Sequence, residues 1–138
     1  MSYATIEKYF QGRLATFQLS EAKNGFNMEG DSENVDKKFV IENPSMNLNI
    51  GDTLATRFFP RRVFVVRVAF KLSESGSIFE YRTAQAKFEN IIADLHSASN
   101  YRSHSIRLVM FDTAKVAKQG DYVVGEMSFN VEDSLNYV

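Results

Sequence analysis

Between Arg62 and Leu72 the chain alternates so regularly that one local structure accounts for it. Phe64, Val66, Val68, Phe70 and Leu72 fall on one side of an extended strand, and Val63, Val65, Arg67, Ala69 and Lys71 fall on the other. One side is wholly apolar and the other is mixed. A strand of that kind belongs in a sheet with one face covered by helices and the other left partly polar.

Two segments supply such helices. Over residues 2–19, Tyr3, Ile6, Phe10, Leu14 and Phe17 recur at steps of three and four, with Ser2 placed to cap the N-terminus. Gly12 lies within and costs about 1 kcal/mol against Ala. From Ser77 the run Ser77-Ile78-Phe79-Glu80 has the spacing of a capping box. Tyr81, Ala84, Phe88, Ile91, Ile92 and Leu95 then form one apolar stripe that ends near Ser97 to Asn100.

The remaining strands are shorter. Lys38 to Glu42 is apolar at its centre and is expected to stop at Asn43-Pro44, and Met46 to Ile50 alternates before Gly51-Asp52. Residues 53–72 read as one long strand broken at Pro60. Ile106 to Phe111 and residues 121–131 read as a closing hairpin around Gln119-Gly120-Asp121. Residues 20–37 show no sustained period and read as a mobile loop, which at that length is usually functional or solvated. The expected fold is α+β: a single domain over 1–138, an antiparallel or mixed sheet with two helices on one face, in the order α-β-β-β-α-β-β.

At 138 residues the chain suits one domain, and 12 Phe imply a core dominated by aromatic burial. The absence of Cys removes disulfides, thiolate metal sites and cysteine nucleophiles. The first residues lack the basic segment and apolar run of a signal peptide, and no run reaches the roughly 18 apolar residues of a membrane span. No membrane partner is expected, and the chain reads as one that folds in a cytosol. Net charge is −1, which argues against a general nucleic-acid coat.

A search for chemistry yields no catalytic set. His96 and His104 are the only histidines and sit in no ligand motif. There is no Gly-x-Ser-x-Gly elbow. Gly120 and Gly125 have phosphate-loop spacing, but Glu126 stands where Lys is needed. Asp31 to Glu42 has the length of a calcium loop, yet Val35 and Asp36 occupy positions that need a ligand and a glycine. Glu29, Asp31 and Glu33 read as a solvated acidic stretch. The chain is expected not to be an enzyme and to need neither cofactor nor metal.

One constellation has a physical consequence. Residues 57–71 hold five basic residues (Arg57, Arg61, Arg62, Arg67 and Lys71) and no acid. The odd-numbered ones share a face if Pro60 leaves the register intact. Such a row can face DNA phosphates, carboxylates of a neighbouring subunit, or solvent as a charged edge that discourages strand addition. Glu126, on the outward side of the last strand, reads as an edge or interface residue.

The layout Tyr3–Leu19, Phe39–Glu42, Arg62–Leu72, Ser77–His96 and Ile106–Val131 resembles the tail terminator proteins of long-tailed bacteriophages. The resemblance implies a homo-oligomeric ring, commonly a hexamer, seated on the last ring of tail tube at the head-proximal end of the tail. It would be assembled in the host cytoplasm, stop tube polymerisation and join to head-completion or connector proteins. DNA would pass through its lumen without specific binding. Arg57, Arg61, Arg62, Arg67, Lys71 and Glu126 are then candidates for the subunit interface or lumen. Two other readings stay open: a head-completion, neck or minor tail protein of the same virion, and a small nucleic-acid-binding module with a basic or aromatic open face.

Overall fold

The computed structural model describes residues 3–22, 36–47, 61–72 and 78–132. Within them, α1 (Tyr3–Ala15), β1 (Ser20–Glu21), β2 (Lys38–Asn47), β3 (Arg61–Lys71), α2 (Ile78–Leu95), α3 (Ala98–Arg102), β4 (Leu108–Gln119) and β5 (Tyr122–Glu132) follow in chain order. The five strands form one mixed sheet in the order β1-β2-β3-β5-β4. Only β1 runs parallel to its neighbour, and the other pairings are antiparallel. The α+β class and the layout are those expected from the sequence.

The alternation of β3 decides the layering. Phe64, Val66, Val68, Phe70 and Leu72 are all buried. On β5 their register partners Phe129, Met127 and Val123 are fully buried on the same side, with Gly125 opposite Val68. Both long helices lie on that face. Phe10 of α1 stacks on Phe64 with ring centroids 5.2 Å apart and meets Phe129 at 5.7 Å. Phe88 of α2 meets Phe70 at 5.3 Å. The core is thus a column of rings between the helices and the sheet, with each large ring withdrawing some 150–250 Å² from water.

Gly125 is required there by packing. A Cβ on it would lie 2.6–2.8 Å from three ring atoms of Phe88, so the ring occupies the space that the missing side chain leaves. Gly120 is required by the chain reversal: β4 and β5 join through Gly120-Asp121, with Gly120 at φ +59°.

The helices are also tied to each other. Arg13 on α1 makes a two-pronged contact with Asp94 on α2, with Nε donating to Oδ1 at 2.8 Å. Asp94 holds the Arg13 guanidinium above its ordinary pKa by accepting that hydrogen bond. Tyr9, fully buried, donates its hydroxyl to the Leu95 carbonyl at 2.7 Å. That bond takes up one of the carbonyls left over where α2 ends. Burial first, and the Asp94 charge second, push the Tyr9 phenol well above its usual range.

Several boundaries differ from expectation. Strand β2 does not stop at Asn43-Pro44 but runs on to Asn47, absorbing one extra residue between Glu42 and Ser45 as a bulge that accommodates the proline. The rest of the strand expected over 46–50, like residues 53–60 and Ser77, lies outside the described residues. The start of the segment read as loop, Ser20–Glu21, instead pairs with Lys38–Phe39, while 23–35 lie outside the described residues. Gln18 makes this entry possible by taking φ +63° just past the helix, a position where glycine or asparagine is usual. Helix α2 ends at Leu95 and a separate short helix, α3, follows. Strand β4 extends eight residues past Phe111 to Gln119.

Candidate functional site

The register fixes the other face of the sheet, on which no described helix packs. Lys38, Val40 and Glu42 of β2 lie beside Ala69, Arg67 and Val65 of β3. Those in turn pair with Val124, Glu126 and Ser128 of β5, which sit beside Ala117, Lys115 and Thr113 of β4. One row across four strands therefore reads Val40, Arg67, Glu126, Lys115. Arg67 is its hub. Its Nη1 lies 3.7 Å from Glu42 Oε1, and its Nε lies 3.3 Å from Glu126 Oε2. That Nε is shielded from water yet is off line for a hydrogen bond, so the contact to Glu126 is an ion pair without one. With both partners roughly half exposed, each pair is worth about 0–1 kcal/mol.

Either side of the charged row the face is apolar. Ala69 and Val124 are buried together with Tyr122 packed against them, and Val63 and Val65 are half-buried. Met110 on β4, 41% exposed, is the one large hydrophobic residue left exposed among the described residues. It lies on this face, opposite Asn130.

The predicted basic cluster is divided by this geometry. Arg67 and Lys71 share the open face by alternation, as the odd numbering implied, and Arg61 begins β3 in register with Glu132. Arg62 faces the covered side opposite the buried Val131 and is itself half-buried. Arg57 lies outside the described residues. Glu126 is outward and exposed, but its strand is not an edge: β5 lies between β3 and β4. β4 is one edge of the sheet, because the closing hairpin folds its first strand outward and slots the second beside β3.

That edge was not legible in the sequence, and neither were the groups that attend it. Phe111 N–H donates to His96 Nδ1 at 3.2 Å, and Tyr81 donates its hydroxyl to the Val116 carbonyl at 3.4 Å. A shallow, mostly apolar groove of about 540 Å³ runs beside the edge, lined by Glu89, Ile92, Ala93, His96 and Phe111. At the far side of α2 a smaller cleft of about 240 Å³ is lined by Phe17, Gln18, Lys37, Phe70, Lys87 and Ile91 among others, with Lys87 Nζ 4.8 Å from the Phe70 ring centre. His104 is exposed, with its ring edge-on to Tyr9 at 5.1 Å. Among the described residues no three His, Asp or Glu side chains gather as metal ligands, and no helix is long and apolar enough to cross a membrane. What the arrangement offers chemically is a surface of ion pairs and valines, beside a strand, β4, whose outer side pairs with no other strand among the described residues.

No protein-family model matches the chain, and no curated protein matches it.

Proposed function

We propose that the chain is a structural virion subunit whose copies close into a ring on the tail tube of a long-tailed bacteriophage. The ring stops tube polymerisation and presents a surface to the head-completion proteins. The observation that carries this reading is the unfinished sheet. Among the described residues β4 pairs only with β5, and one face of the sheet carries no helix. A strand edge and a face left open on one subunit are surfaces that a neighbour of the same kind can cover, and a head-to-tail contact closes into a ring when its rotation allows.

The charge pattern supports protein as the occupant of the open face over nucleic acid. A phosphate-binding face needs surplus cations, whereas Arg67 is set between two carboxylates and Lys115 lies beside Glu126. A near-balanced face also suits a lumen through which DNA passes without being held. The test is sedimentation and native mass spectrometry of the chain alone and mixed with tail tube protein. A discrete multimer in either condition is the expected result. A strict monomer in both would sink the reading.

A further inference from the structure

The cleft at the far side of α2 gathers cations and rings, with no acid among the described residues that line it. It opens where the end of α1, the residue before β2, the end of β3 and the second half of α2 meet. Phe70 and Ile91 are buried in its floor and Phe17 is half-buried beside them, while Lys37, Lys87 and Asn90 are exposed around it. Lys87 Nζ stands 4.8 Å from the Phe70 ring centre. An apolar floor with a few polar groups above it is the usual make-up of a small-molecule site.

Two neighbouring clefts lack that combination. The one across Phe70 and Lys87, which includes Lys71 and Thr83, also holds the Glu80 carboxylate. The groove beside β4 sets Glu89 among apolar residues, with no Lys or Arg among its described residues. A carboxylate in either place repels an anion. The far cleft repels none.

The backbone supplies a second argument. Among the described residues three non-glycine residues have positive φ, and two of them, Gln18 at +63° and Lys37 at +58°, line this cleft. Such conformations persist where the surroundings over-determine them, and they gather where ligands are held. Lys37 is fixed from both sides: its N–H donates to the Ala69 carbonyl at 2.9 Å and its carbonyl accepts from Ser20 at 3.0 Å. The cation is therefore anchored before any ligand arrives. The carbonyls of Arg13, Leu14 and Ala15, at the end of α1, accept from Thr16, Phe17 and Gln18, so the helix end bordering the cleft is closed on itself.

We propose that this cleft binds a small aromatic carboxylate, with its ring against Phe70 and Ile91 and its charge met by Lys37 and Lys87. Phe70 and Phe17 favour a flat apolar body, and ammonium groups make charge-assisted hydrogen bonds to a carboxylate. A volume of about 240 Å³ falls below the roughly 300–1,000 Å³ of drug-sized sites, so one substituted ring fills it. The described lining has neither a guanidinium fork nor a helix N-terminus, the common cradles of phosphate. This goes beyond the ring reading and does not depend on it.

The test is ligand-observed saturation-transfer NMR on the full chain, which serves for a monomer or a multimer alike. The probes are benzoate, its neutral counterpart benzamide, and acetate, which has the charge without the ring. Benzoate should give a saturable signal, with affinity about tenfold above either of the others. Lysine stems that only cover Phe70 would show no such preference. Lys37→Met and Lys87→Met keep an apolar stem and should each weaken benzoate by about tenfold, while Lys8→Met, on the exposed side of α1, should leave it unchanged. Circular dichroism checks that each variant folds, and the three probes on the unaltered chain decide the matter even where one does not. No saturable benzoate signal, equal affinity for benzamide, or an equal loss in Lys8→Met overturns the site.

Discussion

The two faces of β3 are built from neighbouring residues and obey different rules. Phe64, Val66, Val68 and Phe70 are buried in the layer of rings between the helices and the sheet. Val63, Val65, Arg67 and Lys71, one residue away in each case, lie on a face where apolar patches alternate with half-exposed ion pairs. The first arrangement stabilises the subunit. The second adds little to stability, because exposed ion pairs net about 0–1 kcal/mol. A face that combines unburied apolar area with charge that is locally balanced is suited to contact with another protein. The comparison teaches that alternate residues of one strand can serve a buried core and an exposed, charge-balanced surface.

Substitutions on the covered face should cost most. Phe129→Ala removes the ring that meets both Phe10 and Phe111 and should lower unfolding free energy by about 3–5 kcal/mol in urea titration. A loss under 1 kcal/mol would show that the ring layer is not the core. Gly125→Ala comes next. Its new methyl meets the Phe88 ring, and overpacking of this kind costs about 1–3 kcal/mol. An unchanged melting temperature would mean that α2 is free to shift away from the sheet.

Tyr9→Phe is a smaller change on the same side. It leaves the Leu95 carbonyl without its donor and should cost about 1 kcal/mol at neutral pH. It also carries a sign. Because the folded phenol titrates above its unfolded value of about 10, the native protein loses stability as pH rises past that point. Tyr9→Phe should lack that alkaline loss, and identical alkaline slopes for the two proteins would contradict the burial of this hydroxyl. Arg67→Ala, on the open face, is expected to change stability least, by under about 1 kcal/mol, while reducing multimer formation in native mass spectrometry. A large loss of stability with assembly untouched would erase the distinction between the faces.

Much of the fold was readable because periodicity survives without tertiary information. The even-numbered apolar run of β3, the α2 stripe of Ala84, Phe88, Ile91 and Leu95, and the Gly120 reversal are local signals, and each lies where the pattern put it. Tyr9 was not readable: it stands next to Phe10 in α1, off the apolar stripe, and is buried because α2 ends directly over it. The basic cluster was readable only as a list. Its separation into Arg67 on one face and Arg62 on the other follows from register, and the balance of charge around Arg67 follows from Glu42 and Glu126, which are 25 and 59 positions away in the chain.

By itself the sequence determined which side of each helix and strand turns from water, since that depends only on the spacing of apolar residues at 3.6 or 2 positions. The tertiary structure alone decided the order β1-β2-β3-β5-β4, and with it which strands lie at the edges. Periodicity is a property of one segment, whereas strand order is a choice among pairings of similar local energy. That choice is settled by how the whole layer of rings packs, and no single segment carries the information.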